Sequence, residues 1–329
     1  MPHTILITAP KLSAAGIDLL EQAGCRLLFV SDQNDSTAIA RLLASEPVDA
    51  IISRTMQLDA AAIAQCPSLK VIAKHGVGVS NIDVEAATAR GIPVFVTPAA
   101  NAQSVAELSI GLMLAAARRI ARFDRDLRAG QWLRAGDGQQ LAGRTLGLVG
   151  FGQIGQRVAR VALALDMRVQ AFDPGLGGVS PVAGVAVRDS LDALLPDCHV
   201  LSLHCPLTAA TRGMLGRAQL ARLRPAALVI NTARGELIDE AALLDALASG
   251  QVAAAGLDTF CQEPLLPDNP LFAHPHVVMT PHIGGSTPDA LAAMAAGAAR
   301  HVLAWLNGES PQRSACINPH VLPQEEFVS

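Results

Sequence analysis

Short apolar runs and stretches with helical spacing alternate along the whole chain. Residues 4–8, 26–30, 49–53, 71–74 and 93–96 are β-rich runs of strand length, while residues 13–23, ended by Gly24, and residues 37–44 repeat their apolar positions as a helix does. A second series of apolar runs follows at 145–149, 168–172, 199–203, 226–230, 253–257 and 277–279. Strands that take turns with helices in this rhythm predict an α/β fold of doubly wound parallel sheets.

Two longer stretches interrupt the rhythm. Residues 101–130 place Val105, Leu108, Ile110, Leu112, Met113 and Leu114 on a helical pattern that turns basic at Arg118, Arg119, Arg122 and Arg125. This predicts one long helix, stopped at Gly130 and suited to bridging two domains. Residues 131–142, with Trp132 and several glycines, read as a loop that either packs on a partner subunit or runs over the surface. An alanine-rich helix is expected over 288–306, followed by a polar, proline-containing tail from Asn307. At about 100–200 residues per domain, 329 residues call for two domains. The late helix suggests a return of the C-terminus to the first domain, which gives expected domains of 1–100 with 287–329, and 101–286.

Composition narrows the function classes. Half of the residues are hydrophobic and 16% are charged, so both domains should be compact. A net charge of -4 without a long basic run gives no reason to expect nucleic acid or an acidic membrane surface as partner. No segment approaches the ~18 uninterrupted apolar residues of a membrane span. The start at Met1-Pro2-His3-Thr4 shows no basic signal-peptide region, so a cytoplasmic location is expected. Cys25, Cys66, Cys198, Cys205, Cys261 and Cys316 form no CxxC pair. Reduced thiols are the simple reading, with a structural zinc or a disulfide framework as the alternative; no metal site is expected.

The strongest chemical signal begins after the run at 145–149, in Gly150-Phe151-Gly152-Gln153-Ile154-Gly155, and leads into an amphipathic segment at 156–165. Gly150 lets the chain turn, Gly152 lets the backbone approach a pyrophosphate, and Gly155 lets helix and strand pack closely. The helix N-terminus then offers N–H groups to phosphates. The next apolar run ends in Asp173, about 20 residues on, where an acid accepts hydrogen bonds from ribose hydroxyls and repels a 2'-phosphate. The dinucleotide expected is therefore NAD. The first domain has Thr8-Ala9-Pro10 after its opening strand and no such fingerprint, which points it to the substrate side.

In open α/β sheets, ligands lie outside the carboxyl ends of the strands. Three ionisable residues stand at such ends in the second series: Arg234, Glu263 and His282. Singly, each has an ordinary structural reading, as a turn arginine, a solvated loop acid and a structural histidine. Together they match what reduction of a 2-keto acid needs. A planar guanidinium grips the carboxylate, an imidazole gives and takes a proton near neutral pH, and a carboxylate orients that imidazole.

Four motifs now carry a resemblance. Val149-Gly150-Phe151-Gly152-Gln153-Ile154-Gly155, Ile230-Asn231-Thr232-Ala233-Arg234-Gly235 with Leu237-Ile238-Asp239, Gly256-Leu257-Asp258-Thr259-Phe260 with Glu263-Pro264, and Thr280-Pro281-His282-Ile283-Gly284 resemble those of the D-isomer-specific 2-hydroxyacid dehydrogenases, in this order and over nearly the whole chain. The resemblance implies a Rossmann nucleotide domain, a flavodoxin-like substrate domain split between the two ends of the chain, and a homodimer. It also implies NAD(H)-linked interconversion of a D-2-hydroxy acid and its 2-keto acid. By matching position, Arg234 binds the substrate carboxylate, His282 is acid and base, and Glu263 assists. Asp258 would hold the nicotinamide amide. Gln153, Ile154, Asp173, Cys205, Thr232, Ala233, Gly284 and Gly285 join Gly150, Gly152 and Gly155 around the dinucleotide.

On the substrate side, Lys74-His75-Gly76-Val77-Gly78-Val79 resembles the family's loop that offers N–H groups to the substrate carboxylate. It departs at Ser80, where the family commonly has Asp, which alters the loop's local hydrogen bonding. Ser53-Arg54-Thr55 resembles the phosphoglycerate dehydrogenase branch, in which an arginine near this place meets a phosphate; Lys74 would add a second charge. The first substrate pair expected is 3-phosphoglycerate and phosphohydroxypyruvate, without feedback through a C-terminal regulatory domain. The alternatives are a hydroxypyruvate or glyoxylate reductase and, from another class, an NADH-sensing, corepressor-like binding protein.

Overall fold

A computed structural model describes residues 2–323 apart from 33, 34, 36, 310 and 311, so the expected tail from Asn307 lies partly outside the described residues. In chain order the first elements are β1 (Thr4–Ile7), α1 (Ala14–Gln22), β2 (Arg26–Phe29), α2 (Ala38–Ser45), β3 (Ala50–Ser53), α3 (Ala60–Ala64), β4 (Val71–Lys74), α4 (Val84–Ala89) and β5 (Val94–Phe95). The middle of the chain forms α5 (Ala102–Arg118), α6 (Ile120–Arg128), β6 (Thr145–Val149), α7 (Gln153–Ala164), β7 (Arg168–Phe172), β8 (Val185–Val187), α8 (Leu191–Leu194) and β9 (Val200–Leu203). Then come α9 (Arg217–Leu220), β10 (Ala227–Asn231), α10 (Glu240–Ala248), β11 (Val252–Leu257), β12 (Val277–Met279) and α11 (Pro288–Leu306). Contacts divide the chain into two units, Met1–Asn101 with Thr287–Ser329, and Ala102–Ser286.

The first unit holds a five-stranded sheet in the order β2-β1-β3-β4-β5, all parallel. That is the flavodoxin-like doubly wound order, with its switch point between β1 and β3. Every residue of β1, β3 and β4 is buried, as expected for strands covered on both faces. Successive side chains point to opposite faces. Leu6, Ile51 and Ile72 enter a core with α2, α3 and α4, while Ile5, Ile7, Ile52 and Ala73 enter another closed by Ala295, Ala298, Ala299 and Val302 of α11.

The second unit holds a seven-stranded parallel sheet in the order β12-β11-β10-β9-β6-β7-β8. Read from β6 outward, this is the Rossmann order extended by one strand, with its switch point between β6 and β9. Leu146, Leu148, Leu228 and Ile230 pack with Leu112 and Met113 of α5 and with Val158 and Ala162 of α7. Val149, Leu201, Leu203 and Val229 face the opposite side, against Leu243 and Leu247 of α10.

The long helix expected over 101–130 is two helices. Arg119 adopts the left-handed region at φ 56°, and its guanidinium donates to Ala253 O at 2.8 Å. The apolar stripe ends at Ala117, and α6 buries none of its residues, so no core face remains for a straight continuation. The short elements α3, α4, β8 and α8 were not legible as patterns, since a run of three to six residues spans too few repeats to show a period.

Candidate active site

The glycine turn has a separate reason for each glycine. Gly150 lies at φ 90°, and a Cβ there would stand 2.6 Å from the backbone of His204 and Cys205. A Cβ at Gly155 would stand 2.4 Å from Gly150 O, whereas one at Gly152 would meet nothing within 4 Å. Gly152 caps the N-terminus of α7 without any side-chain hydrogen bond, so the first N–H groups of Gln153 and Ile154 open onto the space beside it. Open space, uncapped donors and a helix of 12 residues fit a pyrophosphate.

Asp173 closes the turn from the neighbouring strand. Its Oδ2 accepts from Phe151 N–H at 2.7 Å and its Oδ1 from Gly175 N–H at 2.8 Å. The carboxylate thus holds the glycine turn while keeping lone pairs for hydroxyl donors, the chemistry of a ribose. Cys205, at the end of β9, is a half-buried thiol whose pKa is pushed up to about 11 by burial and then by Asp173, so it is no nucleophile at neutral pH.

Arg234 follows β10 on a loop latched by Asn231, which is 1% exposed. The Asn231 Nδ2 donates to Arg234 O at 2.8 Å and its Oδ1 accepts from Ala233 N–H at 3.0 Å. The guanidinium gives one bond, to Ala233 O at 2.5 Å; among the described residues its other donors take no hydrogen-bond partner. Gly235 lies directly under the next loop, for a Cβ there would sit 1.9 Å from the Phe260 carbonyl carbon. Any side chain at 235 would push the arginine loop off the loop that carries Glu263.

Glu263 and His282 form a pair, with Nδ1 of the ring 2.7 Å from Oε2 of the carboxylate. The other oxygen, Oε1, accepts from Phe260 N–H at 3.0 Å. Burial raises the Glu263 carboxyl, but the hydrogen bonds from His282 and Phe260 and the charges of His282 and Arg234 outweigh it and leave the pKa below the ordinary value. An ionised Glu263 fixes the proton on Nδ1 and leaves Nε2 as the working nitrogen. His282 itself sits at φ 52°, a region that β-carbon-bearing residues seldom occupy.

Asp258 holds that turn. Its carboxylate is 1% exposed and accepts from Thr280 Oγ1 at 2.6 Å, Ile283 N–H at 2.8 Å and Gly284 N–H at 2.8 Å. The carboxylate that the motif assigns to the nicotinamide amide thereby organises the His282 loop. Gly284 and Gly285 follow directly, and a Cβ at Gly284 would come within 3.0 Å of Asp258 Oδ2. Asn231 and Thr280 stand inside the quoted motifs but were given no role from sequence.

In the first unit, Arg54 directly follows β3 at the switch point. Its N–H donates to Thr8 Oγ1 at 2.8 Å and its guanidinium to Lys11 O at 3.4 Å. The Lys74 ammonium, expected to add a second charge, is buried and donates to Arg54 O and Asn81 Oδ1. It acts as a tie between loops, and Asn81 completes the tie through bonds to Ser53 Oγ at 3.0 Å and Met56 O at 2.7 Å. His75 is also buried, 3.2 Å from Leu291 O, and burial followed by the charge of Arg54 pushes its pKa down to about 4. Beyond it, Gly76 N–H donates to Thr97 Oγ1 at 3.0 Å, Val77 is exposed, and Gly78 is part-buried.

Residues 110–284 match the family model described as D-isomer specific 2-hydroxyacid dehydrogenase, NAD binding domain. The chain belongs to the D-isomer specific 2-hydroxyacid dehydrogenase family, and its second unit contains the NAD-binding domain of that family. It is 41% identical over 329 residues to a D-3-phosphoglycerate dehydrogenase of Mycobacterium leprae, covering 99% of this chain and 61% of the relative. It is 45% identical over 248 residues to a hydroxypyruvate reductase of Thermotoga maritima, covering 74% of this chain and 80% of the relative. The crystal structure of the TT0316 protein from Thermus thermophilus superposes with a TM-score of 0.85 at 36% identity, covering 95% of this chain and 99% of that one. The chain thus spans 61% of the length of the phosphoglycerate dehydrogenase relative it matches.

Among the described residues no helix is long and apolar enough to cross a membrane, and no group of three or more His, Cys, Asp or Glu is arranged to hold a metal ion.

Proposed function

We propose that the chain is an NAD-dependent D-2-hydroxyacid dehydrogenase. The observation that carries this reading is the Glu263–His282 pair, at 2.7 Å, following successive strands of an NAD-binding domain whose preceding loop presents Arg234. NADH, when bound, supplies the hydride to C2 of the keto acid. Arg234 grips the carboxylate and fixes which face of the carbonyl is offered. His282 delivers its Nε2 proton to the carbonyl oxygen as negative charge builds there, and the ionised Glu263 keeps the ring oriented. In the reverse direction Nε2 takes the hydroxyl proton. Gly150, Gly152, Gln153, Ile154, Gly155 and Asp173 hold the dinucleotide, with Cys205, Thr232, Ala233, Asp258, Gly284 and Gly285 beside it. Asp173 favours NAD over NADP by repelling a 2'-phosphate.

For the substrate, 3-phosphoglycerate and phosphohydroxypyruvate are the first pair to test. Support comes from Arg54 at the first unit's switch point, from the amides of Val77 and Gly78 as carboxylate donors, those of His75 and Gly76 being taken by Ser53 O and Thr97 Oγ1, and from the phosphoglycerate dehydrogenase relative. A second reading, hydroxypyruvate or glyoxylate as substrate, is favoured by Lys74. With its ammonium tied to Arg54 O and Asn81, that residue assists Arg54 by holding it and adds no separate phosphate contact.

Self-association as a homodimer and a cytoplasmic location belong to the same reading. The first is supported by Ile120, Leu127, Trp132 and Leu133, all about half or more exposed along α6 and the loop after it. Six free cysteines support the second. Light scattering of the wild type and Trp132→Ser decides the dimer: a wild-type monomer would reject it. The activity is tested by a spectrophotometric panel of 2-keto acids with NADH and NADPH. Turnover of phosphohydroxypyruvate above glyoxylate and hydroxypyruvate supports the first pair, the reverse order supports the second reading, and tight NADH binding without turnover of any acid would leave a sensor in place of an enzyme.

A further inference from the structure

Helix α5 touches the loops that carry the proposed chemistry, through two serines set into its apolar face. Ser104 Oγ donates to Gly284 O at 2.5 Å, two residues past His282. Because Asp258 Oδ2 takes the Gly284 N–H, that residue is held by both its N–H and its C=O. Val105 and Leu108, also on α5, lie within 4 Å of where a Gly284 side chain would begin. The left-handed turn at His282 is therefore pinned on its far side by α5.

The second serine meets the arginine loop. Ser109 Oγ donates to Val105 O at 2.7 Å and lies 2.7 Å from Thr232 Oγ1. A carbonyl has no proton to give and a serine hydroxyl has one, so the bond between the two hydroxyls must run from Thr232 to Ser109. Thr232, two residues before Arg234, is left as an acceptor only. It matches an amide or hydroxyl donor and is mismatched to a phosphate oxygen. Ser104, Ser109 and Thr232 are 8%, 2% and 7% exposed, so none of these bonds is readily replaced by water.

We propose that Ser104 and Ser109 are positioning residues of the dehydrogenase, Ser104 for the His282 turn and Ser109, through Thr232, for the loop that presents Arg234. The inference rests on the activity proposed above. Back-bonding of a helical serine to the carbonyl four residues earlier is common and by itself structural. Only Ser109 back-bonds in this way, and what sets the two serines apart is that each hydroxyl reaches a different loop, one holding the acid–base residue and the other the carboxylate ligand.

The test compares full-length wild type with Ser104→Ala, Ser104→Cys, Ser109→Ala, Thr232→Val and the Ser109→Ala/Thr232→Val double variant. Four properties are read: thermal midpoint, NADH affinity by fluorescence, affinity of the NADH complex for oxamate as an unreactive 2-oxo carboxylate, and kcat and KM for the best 2-keto acid. For Ser104→Ala we expect kcat to fall by ~10- to 100-fold with NADH affinity within about threefold, as for a general acid moved off line. The cysteine variant, a weaker donor, should lie between. For Ser109→Ala we expect KM and the oxamate dissociation constant to rise together by ~10-fold while kcat changes less, and this effect should vanish in the Thr232→Val background. Equal losses of kcat, oxamate affinity and thermal midpoint in both alanine variants would reduce the serines to packing, and unchanged kinetics would also overturn the inference. An inactive wild type that binds NADH would bring down the activity and the inference together; an active one with indifferent serine variants brings down the inference alone.

Discussion

In each unit the strand order reverses beside the first strand of the sheet, and the two reversals are built differently. Between β6 and β9 the crossing is lined by backbone: three glycines, an uncapped helix end and a carboxylate that accepts from Phe151 N–H. Between β1 and β3 it is lined by side chains, with Thr8 accepting from Arg54 N–H and Lys74 and Asn81 tying Arg54 O. The first design suits a ligand that is the same in every turnover, since backbone donors do not vary with sequence. The second presents a cation on a scaffold of exchangeable side chains, in keeping with the substrate role proposed for Arg54.

The comparison is broken most directly at His282. Its replacement by alanine should lower kcat ~100- to 10,000-fold for every keto acid while leaving NADH affinity nearly intact. Retained activity would remove the imidazole from the mechanism. Arg54→Ala should act selectively, with kcat/KM for phosphohydroxypyruvate falling ~10- to 100-fold, the worth of a charged hydrogen bond, and glyoxylate unaffected. Equal losses on both acids would place Arg54 in the common machinery, and no loss on either would leave it structural. Asp173→Ala should weaken NADH by ~10-fold and narrow its advantage over NADPH; an unaltered ratio of the two affinities would mean that the carboxylate serves only the turn.

The smallest effect concerns acid. Each unit buries one histidine whose pKa is pushed down to about 4, His75 by burial and then Arg54, His204 by burial alone. Above the ordinary value near 6.5 both rings are neutral, folded or unfolded, and their contribution is fully present. As pH falls from 6.5 towards 4, the unfolded chain binds protons that the native rings refuse, so stability is lost across that window. Each ring accounts for a loss on the order of 2 kcal/mol. His75→Gln and His204→Gln should each flatten the fall of the thermal midpoint between these pH values. A slope identical to wild type in both would show that neither ring resists protonation.

The two reversals also differ in how much of them could be read from the amino-acid string. The glycine turn was legible because backbone geometry restricts residue choice: only glycine suits φ 90° at Gly150 or the close approach at Gly155. Arg234, Glu263 and His282 stand after apolar runs in the sequence, and the structure pairs the last two at 2.7 Å. Lys74 was not, because a lysine in a sequence carries a charge but no direction, and its partners lie 7 and 20 residues away along the chain. The break at Arg119 escaped for a related reason. A basic stretch is compatible with a helix, and the bond to Ala253 O that accompanies the bend joins residues 134 apart. Ser104 and Ser109 carried no signal of their own, because their partners on the loops lie 180 and 123 residues away along the chain.

The crowding at Gly235 has a consequence for how such a protein diversifies. Where not even a methyl group fits between the arginine loop and the Phe260 backbone, a change in one segment has to be accommodated by the other. On the substrate role proposed for Arg54, positions 54, 74 and 81 are then the first libraries for anyone seeking to redirect the chemistry.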